Sequence, residues 1–442
     1  MKNENMNPCT PEDERNHPLC ALEWWCSEGF FKTVEDGKNW HINASITEGN
    51  KKGIKKGSVY KTTLFDQKTG KNYESLDYFY KNSDKKNRKF VKKDSIDFNK
   101  DGFFVSHSDS YMCGLYPKYK MHLIDSDNDI VLDFKLQAKS LPHWVAQEIT
   151  DGWLPWGFGY YRYGFIPKLD LLGSMKLKNK TYKIKGIGYL EHVWGDWSFF
   201  SQISALSKLK KTISVYTKLG GWWLANNKVN IPNSISFTSE NNPIGYDWVW
   251  AVLDNGWTIF YGNVMLWVME GPVAGVLILS KDDKNYIEFN NMSFKYDEIK
   301  YSKNYDFYYP SDMELTAKKG KETLYLRFKM TSECREFVQE LNEKYWKAFV
   351  ICEAPGIVEG YYFDGDKKIK LKGFSKIEPQ RQISFLGHNS VKIDFIKPPK
   401  GVGISFDIDS HYFRKKIFTK IQLAPYPEFN FRVNKIGNLK IH

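Results

Sequence analysis

Between Thr181 and Val193 apolar and polar residues alternate over much of the segment, the two-residue period of a strand. In an extended chain this puts Tyr189, Glu191 and Val193 on one side and Leu190, His192 and Trp194 on the other. Similar runs are punctuated by Asp36-Gly37, Asn255-Gly256 and Asp364-Gly365, the commonest short hairpin signals. Lys178-Asn179-Lys180 and Asp282-Asp283-Lys284 also read as tight turns. Helical signals are few. Ser332 can cap a segment in which Phe337, Leu341 and Tyr345 recur every four residues, and Leu141 to Ile149 predicts a short helix. Many short strands joined by turns imply sandwiches or barrels.

Composition strengthens the β reading. Aromatic residues make up 16% of the 442, and they favour a pleated, half-buried surface. They also suit a cavity lined by rings, so a curved sheet closed around an aromatic interior fits best. The length exceeds what one hydrophobic core organises, which predicts two domains. A faint repeat agrees: Glu23-Trp24-Trp25 opens a run to Asp36-Gly37 and then Trp40, and Asp247-Trp248 opens another to Asn255-Gly256 and Trp257. The Asn-, Ser- and Pro-rich stretch from Ile231 to Pro243 reads as the linker.

The net charge of +12 is spread over Lys-rich turns, and solvated turns explain most of it. An anionic membrane surface is the second reading, and nucleic acid is disfavoured by the alternation of basic with acidic residues. Six cysteines at irregular spacing, with no CxxC pair, suggest reduced thiols in a cytoplasmic protein. Cys9, His17, Cys20 and Cys26 match no standard metal-ligand spacing, so no metal is expected. The polar N-terminus, Met1 to Arg15, has no apolar core of a secretory signal. The longest apolar run, Val264 to Leu279, is broken by Glu270, Gly271 and Pro272 and is too interrupted to span a bilayer.

The densest chemistry lies at residues 186–197, Gly-Ile-Gly-Tyr-Leu-Glu-His-Val-Trp-Gly-Asp-Trp. A carboxylate, an imidazole, a phenol and two indoles among glycines resemble a site for a mostly apolar molecule. The plain alternative is a twisted core strand whose polar groups are hydrogen-bonded, with Glu191 held by backbone amides or by Arg162.

Several segments, taken in order, resemble the hydroxyneurosporene synthase (carotenoid hydratase) family and its lipocalin-like relatives, which include fungal Diels–Alderases. Leu22-Glu23-Trp24-Trp25 is similar to the family's opening strand. Tyr160-Tyr161-Arg162-Tyr163, then Gly173 to Leu177, Tyr182, and Gly186 to Gly195 resemble its central run. Gly245-Tyr246-Asp247-Trp248, Gly356 to Gly360 and Leu371 to Phe374 resemble strands of its second domain. The family commonly has Asp where this chain has Glu191. The upstream His and Trp of the hydratases have no matching pair here, because His143 and Trp144 are adjacent rather than one residue apart.

The resemblance implies a mainly β protein of two lipocalin-like (calycin) antiparallel β-barrel domains with few short helices. Its expected organisation is a polar extension at 1–19, a first barrel at 20–234, a second at 235–400 and a further segment at 401–442. That last segment is read as an extra hairpin or a surface attachment.

The expected function is a cofactor-independent enzyme acting on a hydrophobic, isoprenoid-like molecule by acid-catalysed hydration of a C=C bond. Burial of Glu191 in the first barrel would keep it a neutral proton donor. Tyr189 would share its face, and His192 would support it from the other side of the strand. Trp194, Trp197, Trp25, Tyr161 and Arg162 are the expected ligand contacts. The alternatives are a non-catalytic lipid or isoprenoid carrier and a Diels–Alderase-type cyclase. A hydrolase is disfavoured, since neither a Gly-x-Ser-x-Gly elbow nor an HExxH motif occurs.

Overall fold

A computed structural model describes residues 9–80, 90–156, 159–197, 206–227, 233–237, 243–266, 271–289, 291–302, 304, 307–340, 346–384, 390–397, 402–410, 415–424 and 428–435. Its largest sheet has twelve strands, and its pairings are antiparallel. From edge to edge run Asn72–Tyr80, Ile54–Asp66, Asn39–Lys51, Leu22–Thr33, Lys180–Asp196, Gly159–Leu177, Ile130–Ala138, Lys118–Asp125, Ser110–Leu115 and Phe103–His107. His143–Trp144 and Trp153–Trp156 attach to Gly159–Leu177. The sheet curls until its ends meet through side chains: Ser58 Oγ lies 2.9 Å from His107 Nδ1, and Lys55 Nζ donates to the Ser106 carbonyl at 3.2 Å.

A second curled sheet follows the same path. Its order is Tyr286–Phe289, Gly271–Ser280, Thr258–Leu266, Pro243–Leu253, Lys368–Ser384, Trp346–Phe363, Glu322–Met330, Phe307–Lys319 and Asn291–Ser302. In each sheet the opening strand lies between the strand that follows it and the last long strand of the unit. The faint sequence repeat is thus a repeat of topology. A third sheet joins Ser234–Phe237, Ser390–Ile396, Val402–Ser410, Lys415–Ala424 and Glu428–Lys435. The segment after residue 400 therefore supplies three strands of this sheet.

Strand alternation decides what fills each barrel. Ile130, Leu132, Phe134 and Leu136 face inward from one strand and Tyr119, Met121 and Leu123 from its neighbour. They join Trp25, Ile42, Leu171 and Leu190 in the first core. Each such side chain is worth roughly 1.5–3 kcal/mol when fully buried. The second barrel is filled likewise by Val249, Tyr261, Leu277, Leu326 and Tyr362 among others. A separate apolar layer lies between the barrels, where Tyr189, Val193 and Phe165 meet Trp248, Trp250 and Phe260.

The predicted turns occur: Gly37 and Gly256 take φ of 66° and 84°, which Gly adopts without strain. The helix expected after Ser332 is instead the strand Arg335–Glu340, with Phe337 opposite Ile351. A four-residue spacing keeps side chains on one face of a strand as well as of a helix, so the pattern did not discriminate. Leu341 and Tyr345 lie outside the described residues. Between Leu141 and Ile149 only one helical turn forms, Gln147–Thr150, after the short strand His143–Trp144. The expected linker contributes the strand Ser234–Phe237, while 231–232 and 238–242 lie outside the described residues. A 21-residue helix, Leu206–Asn226, was not foreseen. Its Gly220-Gly221 pair disfavours helix, and its apolar residues are not confined to one face.

Gly195 lets two strands approach closely. A Cβ there would sit 2.3 Å from the Tyr160 carbonyl oxygen and 2.5 Å from the Tyr161 Cα. Backbone cannot yield as a flexible side chain would, so Gly195→Ala is expected to cost about 2 kcal/mol or more in urea unfolding. Gly37→Ala, in an open turn with nothing within 4 Å, serves as the milder control.

Candidate functional site

The strand Leu22–Thr33 has two faces. Trp25 points into the first barrel, while Trp24, Cys26 and Glu28 point out toward the second. On the adjacent strand Leu190 joins the first core, and Tyr189, Glu191 and Val193 face the second unit. Between the two sheets lies a cavity of about 790 Å³, lined by Trp24, Tyr161, Tyr163, Trp197, Trp248 and Phe260 around Glu191. The site anticipated inside the first barrel is therefore outside it, in the seam between barrels. The strand's parity predicted which side chains travel together but not which face is the interior.

Glu191 is buried among hydrogen-bond donors. Its Oε2 accepts from the hydroxyls of Tyr163 and Tyr189, the latter at 2.8 Å, and its Oε1 accepts from Trp24 Nε1 at 2.9 Å. Tyr163 in turn accepts from Trp248 Nε1 at 2.9 Å, so the second unit reaches the carboxyl through one hydroxyl. Burial pushes the Glu191 carboxyl up to about 7, although the three donors favour the ionised form. The group therefore holds or releases a proton near neutrality.

A charged cluster forms another part of the lining. Lys376 is fully buried and contacts Glu28 at 2.9 Å, Glu353 at 3.6 Å and Glu378. Lys61 pairs with Glu353, which also accepts from Thr63 Oγ1 at 3.1 Å. Tyr246 donates to Glu378 at 3.0 Å, and His41 Nε2 lies 3.0 Å from Glu28. Burial would raise the Glu353 carboxyl, but Lys61 and Lys376 outweigh it and hold it at about 2. Burial likewise opposes the charge of Lys376, yet Glu28, Glu378 and Glu353 keep its ammonium protonated. Glu378 is shifted up, burial outweighing Lys376. No sequence pattern announced this cluster, because its lysines and glutamates come from four separate strands.

Of the expected residues, Glu191, Tyr161 and Trp197 line the cavity and Tyr189 bonds to Glu191. His192 lies on the opposite face, 2.8 Å from Glu23 Oε1 and stacked on Trp25. Trp25 belongs to the first core; its neighbour Trp24 takes the cavity position, being of the right parity. Trp194 packs against His17 and Trp144, away from the cavity. Arg162 pairs with Asp13 and Asp151 over the Trp144 ring and does not reach Glu191. Tyr163, Trp248 and Lys376 were missed; Tyr163 lies in the quoted Tyr160 to Tyr163 run and Trp248 in the repeat.

Two groups of metal-ligating residue types occur among the described residues: His17, Glu23 and His192, and Cys334, Glu336 and Cys352. In the first, both imidazoles hydrogen-bond to one Glu23 oxygen, at 3.0 and 2.8 Å, and neither group lines the cavity. None of the six cysteines forms a disulfide. No described helix is long and apolar enough to cross a membrane.

No protein-family model matches this sequence, and no curated protein matches it. Solved structures do. A candidate AttH protein from Nitrosomonas europaea superposes with a TM-score of 0.55 at 14% identity, over 84% of this chain and 97% of its own. Kievitone hydratase from Nectria haematococca gives a TM-score of 0.55 at 12% identity, over 85% of this chain and 94% of its own. The likeness is one of fold. The chain is a mainly antiparallel β protein of the lipocalin-like double-barrel kind along most of its length.

Two outcomes follow from the electrostatics. Because folding raises the Glu191 pKa from 4.5 to about 7, its neutral form stabilises the fold at low pH, and that contribution is lost as pH rises through about 7. Glu191→Gln should therefore gain stability relative to the unaltered protein between about pH 5 and pH 8, by up to about 3 kcal/mol in denaturant titrations. Lys376→Met removes the cation shared by three carboxylates and is expected to cost about 3–5 kcal/mol at neutral pH. Lowering the pH toward 5 should recover part of the loss as a carboxyl takes up a proton.

Proposed function

We propose that this chain is a cofactor-independent enzyme that hydrates a C=C bond of a hydrophobic, isoprenoid-like molecule, with Glu191 as proton donor. The observation that carries this reading is a carboxyl with a pKa of about 7, set in an aromatic cavity between two barrels. Kievitone hydratase, similar in fold, bears a hydratase name, which supports the reaction class. The cavity, at about 790 Å³, is of a size that takes small-molecule ligands.

The chemistry uses the asymmetry of the carboxyl. Oε2 is occupied by two tyrosine hydroxyls, whereas Oε1 meets only the Trp24 indole, so Oε1 carries the transferable proton. The alkene π pair takes that proton, a C–H bond forms, and the neighbouring carbon becomes a tertiary cation. The resulting carboxylate is held by Tyr163, Tyr189 and Trp24. The rings of Trp24 and Tyr161, both in the lining, would each contribute about 1–2 kcal/mol to the cation when water is excluded. A water then adds through oxygen, and its surplus proton restores the carboxyl. Tyr189 is a positioning residue in this scheme, and His192 supports the strand from its other face.

A second reading is a carrier that binds the same molecule without changing it. Each Glu191 oxygen already has a protein donor, as a purely structural carboxyl would, and this favours it.

Glu191→Gln should lower turnover of a polyene or isoprenoid alkene by about 100-fold or more while leaving ligand binding in place. Turnover by the unaltered protein should fall as pH rises through about 7, because the donor is then ionised. Full turnover by Glu191→Gln would sink the hydratase reading. A stoichiometric, chemically unchanged ligand in native mass spectra, with no product from any alkene, would establish the carrier.

A further inference from the structure

The helix Leu206–Asn226 is apolar on two sides. Its inner side, with Trp222, Trp223 and Leu219, lines the cavity. Its outer side carries Ile213, Tyr216 and Leu224, which are 54%, 47% and 65% exposed. At 100° per residue Leu209, Ile213, Tyr216, Gly220 and Leu224 fall within one outward stripe. Apolar side chains of a helix normally turn toward a core, yet Ile213 and Leu224 face solvent along that stripe. Tyr216 and Leu224 also line the cavity, together with Val264, which is 50% exposed. The exposed apolar patch is thus the rim of the cavity mouth. Grouped apolar exposure at a mouth marks an interaction surface, whereas single exposed side chains do not.

Charge indicates the partner. The helix contains Lys208, Lys210, Lys211 and Lys218 and no acidic residue, in a chain of net charge +12. Lys210 is exposed at the edge of the stripe, and Lys218 is exposed on the other side of the helix. Lys211 lies over the Trp153 ring, 3.1 Å from its centroid, which anchors the helix to the first barrel. An apolar stripe bordered by Lys210, on a helix without acidic residues and a chain of net charge +12, is a surface that settles into the headgroup region of an anionic bilayer.

We propose that the outer side of Leu206–Asn226 and the adjoining Val264 dock on an anionic lipid bilayer, so that the cavity mouth opens onto the membrane and takes its hydrophobic ligand from there. The inference rests on the proposed hydrophobic ligand for its purpose. Its evidence, the exposed stripe and the lysines, is independent of Glu191.

The test is co-sedimentation of the full chain with vesicles of phosphatidylcholine alone and of phosphatidylcholine mixed with phosphatidylglycerol. Binding is expected to the mixed vesicles and to weaken with added salt. Ile213→Asp with Leu224→Asp should weaken it roughly tenfold or more, and separately Lys210→Glu should weaken it several-fold. Circular dichroism should show both proteins folded, as expected of substitutions at exposed positions. Absence of binding to mixed vesicles, or undiminished binding by both variants, would overturn the proposal. So would a dimer in light scattering that the aspartate variant dissolves, because a second copy would then cover the stripe. Glu191→Gln should bind vesicles like the unaltered protein. Vesicle binding with Glu191-independent turnover would fault the hydratase reading alone. Glu191-dependent turnover of detergent-dispersed alkene without vesicle binding would fault the docking alone.

Discussion

Two β-barrels that pack outer face to outer face must do something with the polar groups caught between them. That constraint shapes the rest of the molecule. Burying an ion is costly unless partners satisfy it, and this interface uses both available remedies. Around Lys376 the charges are kept and matched, with Glu28, Glu353 and Glu378 drawn from both units. Around Glu191 the charge is instead poised for removal by protonation, because burial lifts its pKa to about 7. One seam therefore contains a settled ion cluster and an unsettled carboxyl. The unsettled one faces the rings of Trp24, Tyr161 and Trp248.

Much of the architecture was legible in the sequence because strands and hairpins announce themselves locally. Turn residues at Asp36-Gly37 and Asn255-Gly256 and the alternation of Thr181 to Val193 depend on nothing distant. The grouping of Tyr189 with Glu191, and the separation of His192, followed from the same local rule. Sequence alone does not separate Trp24 from Trp25, because two adjacent indoles have equal burial value; only the second barrel decides which one meets a cavity. The place of the cavity depends on the same long-range packing. Arg162 looked like a partner for Glu191, but Asp13 and Asp151, unremarkable in sequence, claim it. The long helix escaped notice because its apolar residues obey two partners, barrel and surroundings, and so show no single stripe.

The repeat also explains how the two halves came to differ. Trp24 and Trp248 occupy matching places at the start of matching strands, and each indole donates into the same hydroxyl–carboxyl group. Two residues beyond Trp24, Cys26 lies opposite Glu191; two residues beyond Trp248, Trp250 lies opposite Lys376. The acid of the first unit and the ammonium of the second thus stand at corresponding register positions. A symmetric pair of like charges would repel across the seam, whereas unlike groups coexist there.

Because the cavity is a gap between two barrels, much of its wall belongs to the layer between them rather than to either barrel's core. Residues that fill the barrels, such as Leu171 and Leu326, can stay fixed while the gap's wall changes at Phe260, Tyr161 or Val276. A pocket inside a barrel has no such freedom, since enlarging it thins the core that supports it. A change in the wall is therefore felt first by the layer between the barrels, where Phe260 stacks on Phe165, rather than by the cores that hold each barrel closed.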